Sequence, residues 1–159
     1  MVKPLVVILM GSKSDLEHCK KIADACKGYG MDTVLRIGSA HKTPDHILSI
    51  LREYESNPRQ KVYITVAGRS NALSGFTDGA VSVPVIACPP VSDAFAGADI
   101  VSSLRMPSGI APALVIEPAN AALLAAKILG LVDSEIHSAV QKSQKQAAEK
   151  IMQDDQALQ

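Results

Sequence analysis

The chain has 159 residues, a length typical of one domain, and 47% of them are apolar, which is enough for an aliphatic core. Its sixteen basic and sixteen acidic residues leave no net charge, which argues against a general nucleic-acid binder, because such proteins carry a basic excess that pairs with phosphates. No stretch reaches the roughly 20 apolar residues that span a bilayer, and three cysteines without close pairing do not suggest a disulfide framework or a zinc site. We therefore expect a cytoplasmic protein without a membrane span or a metal ion.

Two hydrophobic patterns alternate along the chain. Short apolar runs rich in β-branched residues are typical of strands buried on both faces. They predict strands at 5–10, 33–37, 62–66, 83–88 and 113–116. Apolar residues at helical spacing predict helices at about 15–28, from 44 onward, at about 120–129 and, in a polar tail, at about 134–155. Thr43 at the N-cap and Pro44 at the first helical position mark the start of the second helix.

This alternation of strands and helices predicts an α/β fold. We expect a three-layer, flavodoxin-like (Rossmann-like) parallel sheet with helices on both faces. The whole of 1–159 is predicted to be a single domain that ends in the helical tail.

Polar residues follow the ends of the predicted strands, where open α/β sheets bind their ligands. Gly11-Ser12-Lys13-Ser14-Asp15 follows the first strand, Ser39-Ala40-His41-Lys42 the second and Gly68-Arg69-Ser70-Asn71 the third. These side chains, together with helix N-termini, favour an anionic, phosphate-sugar ligand.

Structural alternatives exist for several of these residues. Ser14 and Glu17 fit a capping box that closes a helix, and Asp15 fits either a helix end or a carboxylate that binds ribose hydroxyls. A single loop histidine such as His41 is usually a surface or packing residue. The chain has no phosphate-loop motif, no G-x-G-x-x-G and no G-x-S-x-G. The residues alone therefore predict a small α/β domain with an anion-binding edge.

Four motifs extend this interpretation. Gly11 to Asp15, Ser39-Ala40-His41-Lys42-Thr43-Pro44-Asp45, the stretch from Ser102 to Gly109, and Asn120 to Ala126 occur in this order. Over about residues 5–131, the chain resembles the aminoimidazole ribonucleotide carboxylase/mutase family. The resemblance implies an enzyme of purine biosynthesis that acts on a ribonucleotide without metal, biotin or ATP, so we expect no cofactor.

The family has two classes: a mutase that moves a carboxylate from N5 to C4 of the ribonucleotide, and a carboxylase that uses CO2 directly. Mutases typically carry Arg after the active-site His and a Gly-Gly-Ala-Ala-His-Leu-Pro-Gly loop. This chain has Lys42 after His41, and Ala72 stands where the mutase loop has its second His. These differences resemble the carboxylase class and imply a phosphoribosylaminoimidazole carboxylase, a carboxy-lyase. The mutase and a non-catalytic nucleotide-binding module are the alternatives.

The resemblance also implies roles for individual residues. His41 is expected to transfer the proton at C4. The expected ribonucleotide contacts are Gly11, Ser12, Ser14, Asp15 (on the ribose hydroxyls), Ser39, Ala40, Lys42 (with Ser39 on the phosphate), Gly68, Arg69, Ser70 and Asn71. We expect Ala72, Leu73 and Pro107 to form the CO2 pocket, with Ala40 also in its wall. For Arg69 a structural ion pair is the favoured role over contact with the product carboxylate.

The family forms octamers with active sites at subunit junctions, so a homo-octamer is expected. The 120–129 helix is apolar on more than one face, which fits burial between subunits. The tail helix is expected to pack on a neighbouring subunit; its return onto its own sheet is the alternative.

Overall fold

A parallel sheet forms the centre of the computed structural model, which describes residues 2–158 and, for Ala94, the backbone alone. The predicted domain includes Met1 and Gln159, which lie outside the described residues. Within 2–158 the sheet has five strands in the order β2-β1-β3-β4-β5. The strands are β1 (Leu5–Met10), β2 (Asp32–Ile37), β3 (Lys61–Val66), β4 (Val85–Ala87) and β5 (Ala113–Leu114). All neighbouring strands pair in parallel, which confirms the predicted flavodoxin-like α/β architecture.

Helices cover both faces of the sheet, as the alternation of patterns predicted. The helices are α1 (Leu16–Gly28), α2 (Pro44–Glu55), α3 (Ala72–Asp78), α4 (Pro118–Leu129) and α5 (Ser134–Gln156). One apolar cluster joins α1, α4 and the start of α5 to one face of the sheet. The other cluster joins α2 and α3 to the opposite face. Strands β1 and β3 are buried along their whole length because side chains on both faces contact helices.

Besides a short 3-10 turn at Lys13–Asp15, two longer elements were not predicted from the sequence. Helix α3 follows the polar turn after β3, and its N-cap Asn71 accepts a hydrogen bond from the backbone nitrogen of Ser74 at 3.2 Å. A 3-10 segment, Ala94–Ser103, follows β4 and contains a kink at Phe95, Ala96 and Gly97, where φ is positive. Strands β4 and β5 are also shorter than the predicted 83–88 and 113–116.

Helix α4 packs within its own chain. Ala121, Ala122, Ala125, Ala126 and Leu129 are buried in the cluster that includes α1. Much of the apolar surface that suggested burial between subunits is therefore covered inside the chain.

Helix α5 is packed at its beginning only. Ile136 and Val140 are its buried residues, whereas Ile151 and Met152 are exposed. None of the helices within 2–158 combines the length and the apolar composition needed to cross a membrane.

Candidate active site

The order of the strands reverses between β1 and β3, and an open cleft of about 550 Å³ lies there at the carboxyl ends of the strands. Four loops line it: the loops that follow β1, β2, β3 and β4. The residues that line the cleft are Gly11, Ser12, Ser14, Asp15, Ser39, Ala40, His41, Lys42, Ala67, Gly68, Arg69, Ser70, Leu73, Pro90 and Ser92. The topology thus brings together residues that are up to 81 positions apart in the sequence, from Gly11 to Ser92.

The loop after β1 is closed by its own side chains. Oδ2 of Asp15 accepts hydrogen bonds from the backbone nitrogen of Ser12 at 3.1 Å and from its Oγ at 3.2 Å. The hydroxyl oxygens of Ser12 and Ser14 lie 2.5 Å apart. A 3-10 turn, Lys13–Asp15, then leads into α1. Polar oxygens consequently face the cleft beside the first turn of a helix.

The predicted capping box of Ser14 and Glu17 is wrong. Asp15 is the N-cap of α1, and Ser14 lies inside the preceding 3-10 turn, so its side chain does not close the helix. Glu17 instead forms an ion pair with Lys20 at 2.7 Å.

The loop after β2 is held by Ser39 and Thr43. The backbone nitrogen of Ser39 donates to Oγ1 of Thr43 at 2.9 Å, and the backbone nitrogen of Lys42 donates to Oγ of Ser39 at 3.2 Å. The Ser39 hydroxyl therefore keeps its hydrogen available for a ligand. His41 and Lys42 are exposed within this turn, where they can reach a molecule in the cleft.

Gly38 permits the close approach of this loop to α2. A Cβ atom at this position would lie 2.3 Å from Cδ1 of Ile47, which is buried in the core. The backbone that carries His41 can therefore lie directly on α2.

The loop after β3 contains an unusual backbone conformation at Arg69, whose φ is +59°. The backbone nitrogen of Arg69 donates to Oδ2 of Asp99 at 3.1 Å. The guanidinium of Arg69 forms no ion pair with the described residues of its own chain, so its structural ion pair stays a prediction.

Three of the predicted site residues do not line the cleft. Asn71 is buried, caps α3 and donates from Nδ2 to Oγ of Ser103 at 2.9 Å. Ala72 is the first residue of α3, and Pro107 is exposed in the loop that follows the 3-10 segment. Of the three residues expected in the CO2 pocket, only Leu73 lines the cleft in this chain.

Ala67, Pro90 and Ser92 line the cleft and were missed. Pro90 lies beside Gly68, where an added Cβ would be 3.5 Å from its Cγ. The position of Pro90 after the fourth predicted strand was the available signal. Ala67 and Ser92 have no motif of their own.

A cysteine and a histidine meet outside the cleft. Nε2 of His18 lies 3.4 Å from Sγ of Cys88, which also lies 3.4 Å from the carbonyl oxygen of Ile116. Burial raises the pKa of the Cys88 thiol to about 12 and lowers the pKa of His18. The thiol is therefore neutral near pH 7, so this pair lacks the thiolate that a cysteine nucleophile needs.

Comparison with known proteins assigns the chain to a family. The family model described as AIR carboxylase matches residues 5–150. The chain belongs to the AIR carboxylase family. Within this family it is 60% identical over 157 residues to phosphoribosylaminoimidazole carboxylase of Treponema denticola, and the match covers 99% of each chain.

Other members show the same relationship. Phosphoribosylaminoimidazole carboxylase of Archaeoglobus fulgidus is 55% identical over 96% of this chain and 83% of its own length. The human bifunctional phosphoribosylaminoimidazole carboxylase/phosphoribosylaminoimidazole succinocarboxamide synthetase is 45% identical over 87% of this chain and 32% of its own. The crystal structure of Treponema denticola PurE superimposes with a TM-score of 0.97, covering 99% of both chains at 60% identity.

Among residues 2–158, no three His, Cys, Asp or Glu side chains converge on a point that could hold a metal ion. The polar groups of the cleft are instead hydroxyls, one carboxylate, one imidazole and two cations. Such a set can bind a phosphorylated sugar and move a proton.

Proposed function

We propose that this protein is a phosphoribosylaminoimidazole carboxylase, which reversibly carboxylates C4 of 5-aminoimidazole ribonucleotide with CO2 in purine biosynthesis. One observation carries the proposal. The chain places His41, Asp15 and Lys42 in one cleft at the β1/β3 switch point, and it shares 60% identity over nearly its full length with an enzyme of that name. Since this substrate is a phosphorylated metabolite, we place the activity in the cytoplasm, within one catalytic domain.

The cleft suits the two ends of the ribonucleotide. Asp15, held by the Ser12 backbone, presents its carboxylate to the ribose hydroxyls. Lys42 and the Ser39 hydroxyl bind the phosphate, with Lys42 acting as a point charge rather than as a fork. Gly68 and Ser70 line the same cleft, and we assign them to the base. Because the sugar and phosphate are fixed, C4 is held in one place against CO2.

The chemistry needs a proton acceptor and no covalent intermediate with the enzyme. C4 is an enamine-type carbon, and its electron pair attacks CO2 to form the new C–C bond while the exocyclic nitrogen becomes an iminium. The proton on C4 then passes to His41, and its bonding electrons restore the aromatic ring and the amine. Imidazole is suited to this step because it accepts and releases a proton near neutral pH.

Direct use of CO2 is favoured over the mutase reaction by the third loop. In this chain the loop reads Gly68-Arg69-Ser70-Asn71-Ala72-Leu73-Ser74-Gly75, with Ala72 where mutases have a second His. Leu73 gives the cleft an apolar wall suited to uncharged CO2. Two relatives that cover most of this chain also carry the carboxylase name.

Isotope exchange tests the proposal. The C4-carboxylated ribonucleotide is incubated with the enzyme and labelled bicarbonate, without ATP, and the label in its carboxylate is measured over time. We expect rapid exchange by the wild-type enzyme and a loss of at least about 100-fold in His41→Asn, since general acid–base groups contribute on that scale. His137→Asn, an exposed histidine on α5, is the matched control.

The outcomes separate the rival functions. Ribonucleotide binding without exchange by the wild-type protein would contradict a direct carboxylase. Conversion of the N5-carboxylated ribonucleotide would then indicate a mutase, and no conversion would indicate a non-catalytic module. Wild-type exchange by His41→Asn would contradict the role of His41. A loss of exchange supports that role when calorimetry shows unchanged binding of aminoimidazole ribonucleotide.

The active assembly is proposed to be a homo-octamer. Two features support it: the unpacked end of α5, with exposed Ile151 and Met152, and the exposed Phe95 and Leu104 of the segment beside the cleft. Ile151 and Met152 are neighbours in the chain, and exposed apolar side chains that lie together are typical of interfaces. We expect sedimentation to give an octamer and Ile151→Lys/Met152→Lys to lower the assembly state. A monomer at micromolar concentration for the wild-type chain would contradict it.

A further inference from the structure

The left-handed conformation of Arg69 lies at the wall of the cleft and is unfavourable for a residue with a side chain. Arg69 has a φ of +59°, and both its neighbours, Gly68 and Ser70, line the cleft. Conformations of this kind persist where surrounding contacts impose them, and they cluster at functional sites. The contacts that impose this one lie about thirty residues along the chain.

Asp99 and Ser102 hold both backbone groups of Arg69. Oδ2 of Asp99 accepts the hydrogen bond from the Arg69 nitrogen at 3.1 Å, and Oγ of Ser102 lies 3.1 Å from the Arg69 carbonyl oxygen. The same Ser102 oxygen accepts from the backbone nitrogen of Asn71 at 2.9 Å. Its one hydrogen is shared between the Arg69 carbonyl and the Asp99 carbonyl, which lies 2.7 Å away. We call Asp99 and Ser102 the clasp.

The segment that carries the clasp is shaped to reach this loop. It kinks at Phe95, Ala96 and Gly97, all with positive φ, directly before Asp99. Its last residue, Ser103, is buried and accepts a hydrogen bond from Nδ2 of Asn71. The segment and the loop after β3 are thereby joined at two positions, Arg69 and Asn71.

Packing provides little support behind the loop. A cavity of about 160 Å³ is lined by Gly68 and Arg69 of this loop together with Val91, Ile100 and Ile116. Since side chains do not fill this space, the loop can shift toward it at a small steric cost. Hydrogen bonds to Asp99 and Ser102 therefore determine the position of the loop backbone that forms this wall of the cleft.

We propose that Asp99 and Ser102 are positioning residues of the carboxylation: by fixing the backbone of Arg69 they place the Gly68–Ser70 wall beside the base and CO2. This inference rests on the proposed function. The phosphate and ribose contacts belong to the other two loops, so the clasp influences the reacting end of the substrate. Its loss lowers kcat and leaves the binding of the ribonucleotide largely intact.

The test compares Asp99→Ala, Ser102→Ala and Asp99→Asn. We expect kcat for C4 carboxylation to fall at least about 10-fold in both alanine variants, because small displacements of reacting groups have effects of this size. The KM for the ribonucleotide stays within about twofold, since its phosphate and ribose contacts are unchanged. Asp99→Asn keeps an oxygen that can accept from the Arg69 nitrogen, and it recovers most of the lost rate.

Matched controls and a readout independent of turnover complete the design. Ser138→Ala removes a hydroxyl on α5 that also bonds a backbone carbonyl, that of Ser134 at 2.8 Å, and Asp24→Ala removes an exposed carboxylate on α1. Hydrogen exchange of peptides covering 67–72 should accelerate in Asp99→Ala and remain unchanged in the controls. Melting temperatures separate this local effect from general unfolding.

Each result has a definite meaning. Wild-type kcat in Asp99→Ala and Ser102→Ala, or a fall in kcat no larger than the unfolded fraction, would overturn the positioning role alone. An equal loss in Asp99→Asn and Asp99→Ala would also overturn it. Absence of carboxylation by the wild-type enzyme would overturn the proposed function and, with it, this role.

Discussion

The carboxylate of Asp15 accepts hydrogen bonds from both the backbone nitrogen and the hydroxyl of Ser12, at 3.1 and 3.2 Å. Both bonds end on the same oxygen, Oδ2. The other carboxylate oxygen is therefore left for a ligand, in a cleft that Asp15 lines. Asp15 thus has two separable roles, one in closing the loop and one in presenting negative charge to the ribose.

Replacing Asp15 by Asn separates these roles. Asn keeps an oxygen for the Ser12 nitrogen but loses the charge, so we expect the loop and the melting temperature to change little. Affinity for aminoimidazole ribonucleotide should fall by about tenfold, because hydrogen bonds to a charged acceptor are the stronger ones. Calorimetric titration without CO2 measures this, with Asp24→Asn as the control on the exposed face of α1. Undiminished affinity in Asp15→Asn, with loss in Asp15→Ala, would show a role in the loop alone.

A substitution at Gly38 tests how the loop that carries His41 is supported. In Gly38→Ala the new Cβ would meet the buried Cδ1 of Ile47 at 2.3 Å, so we expect a loss of roughly 1–3 kcal/mol in the free energy of unfolding. Ile47→Val removes that Cδ1 and alone costs about 0.5–1.5 kcal/mol. Because the 2.3 Å contact disappears and only the 3.0 Å contact with Cγ1 remains, the double variant should be more stable than the sum of the two changes predicts. Strict additivity in denaturant unfolding at one protein concentration would contradict the contact.

The pH dependence of stability should include a contribution from His18. Desolvation by burial is the main cause that lowers its pKa from 6.5 in the folded chain, opposed by a hydrogen bond with Cys88. The unfolded chain therefore binds more protons between the folded and unfolded pKa values, so stability from this group declines as pH falls below about 6.5. We expect the melting temperature of His18→Gln to fall less than that of the wild type between about pH 7 and about pH 5.5. Parallel curves for the two proteins would contradict the assignment, and His137→Gln is the control.

Much of the fold follows from local patterns, because short, largely apolar runs such as 5–10 and 62–66, rich in β-branched residues, are typical of strands buried on both faces. Helix α3 was missed since its seven residues contain Gly75 and few strong helix formers; its stability comes from Asn71 and from burial of Leu73. The 3-10 segment has no periodic pattern. Its conformation depends on hydrogen bonds to residues that lie about thirty positions earlier.

The site was predictable where a motif directly follows a strand, as at Ser12, Asp15, His41 and Lys42. The site was less predictable where the direction of a side chain decides whether the residue lines the cleft. Asn71 immediately follows cleft residues in sequence, yet its amide turns toward α3 and Ser103. Ser92 reaches the cleft from beyond β4, a placement that depends on the tertiary arrangement alone.

In the proposed function CO2 itself is the carboxyl donor. The most direct measurement supplies purified enzyme, without ATP, with aminoimidazole ribonucleotide and bicarbonate in one reaction and the N5-carboxylated ribonucleotide in another. Formation of the C4-carboxylated product is followed in both, with correction for spontaneous decay of the N5 compound. We predict efficient formation from the first mixture. Product formed only in the second mixture would contradict the use of CO2 as the carboxyl donor and would identify a mutase.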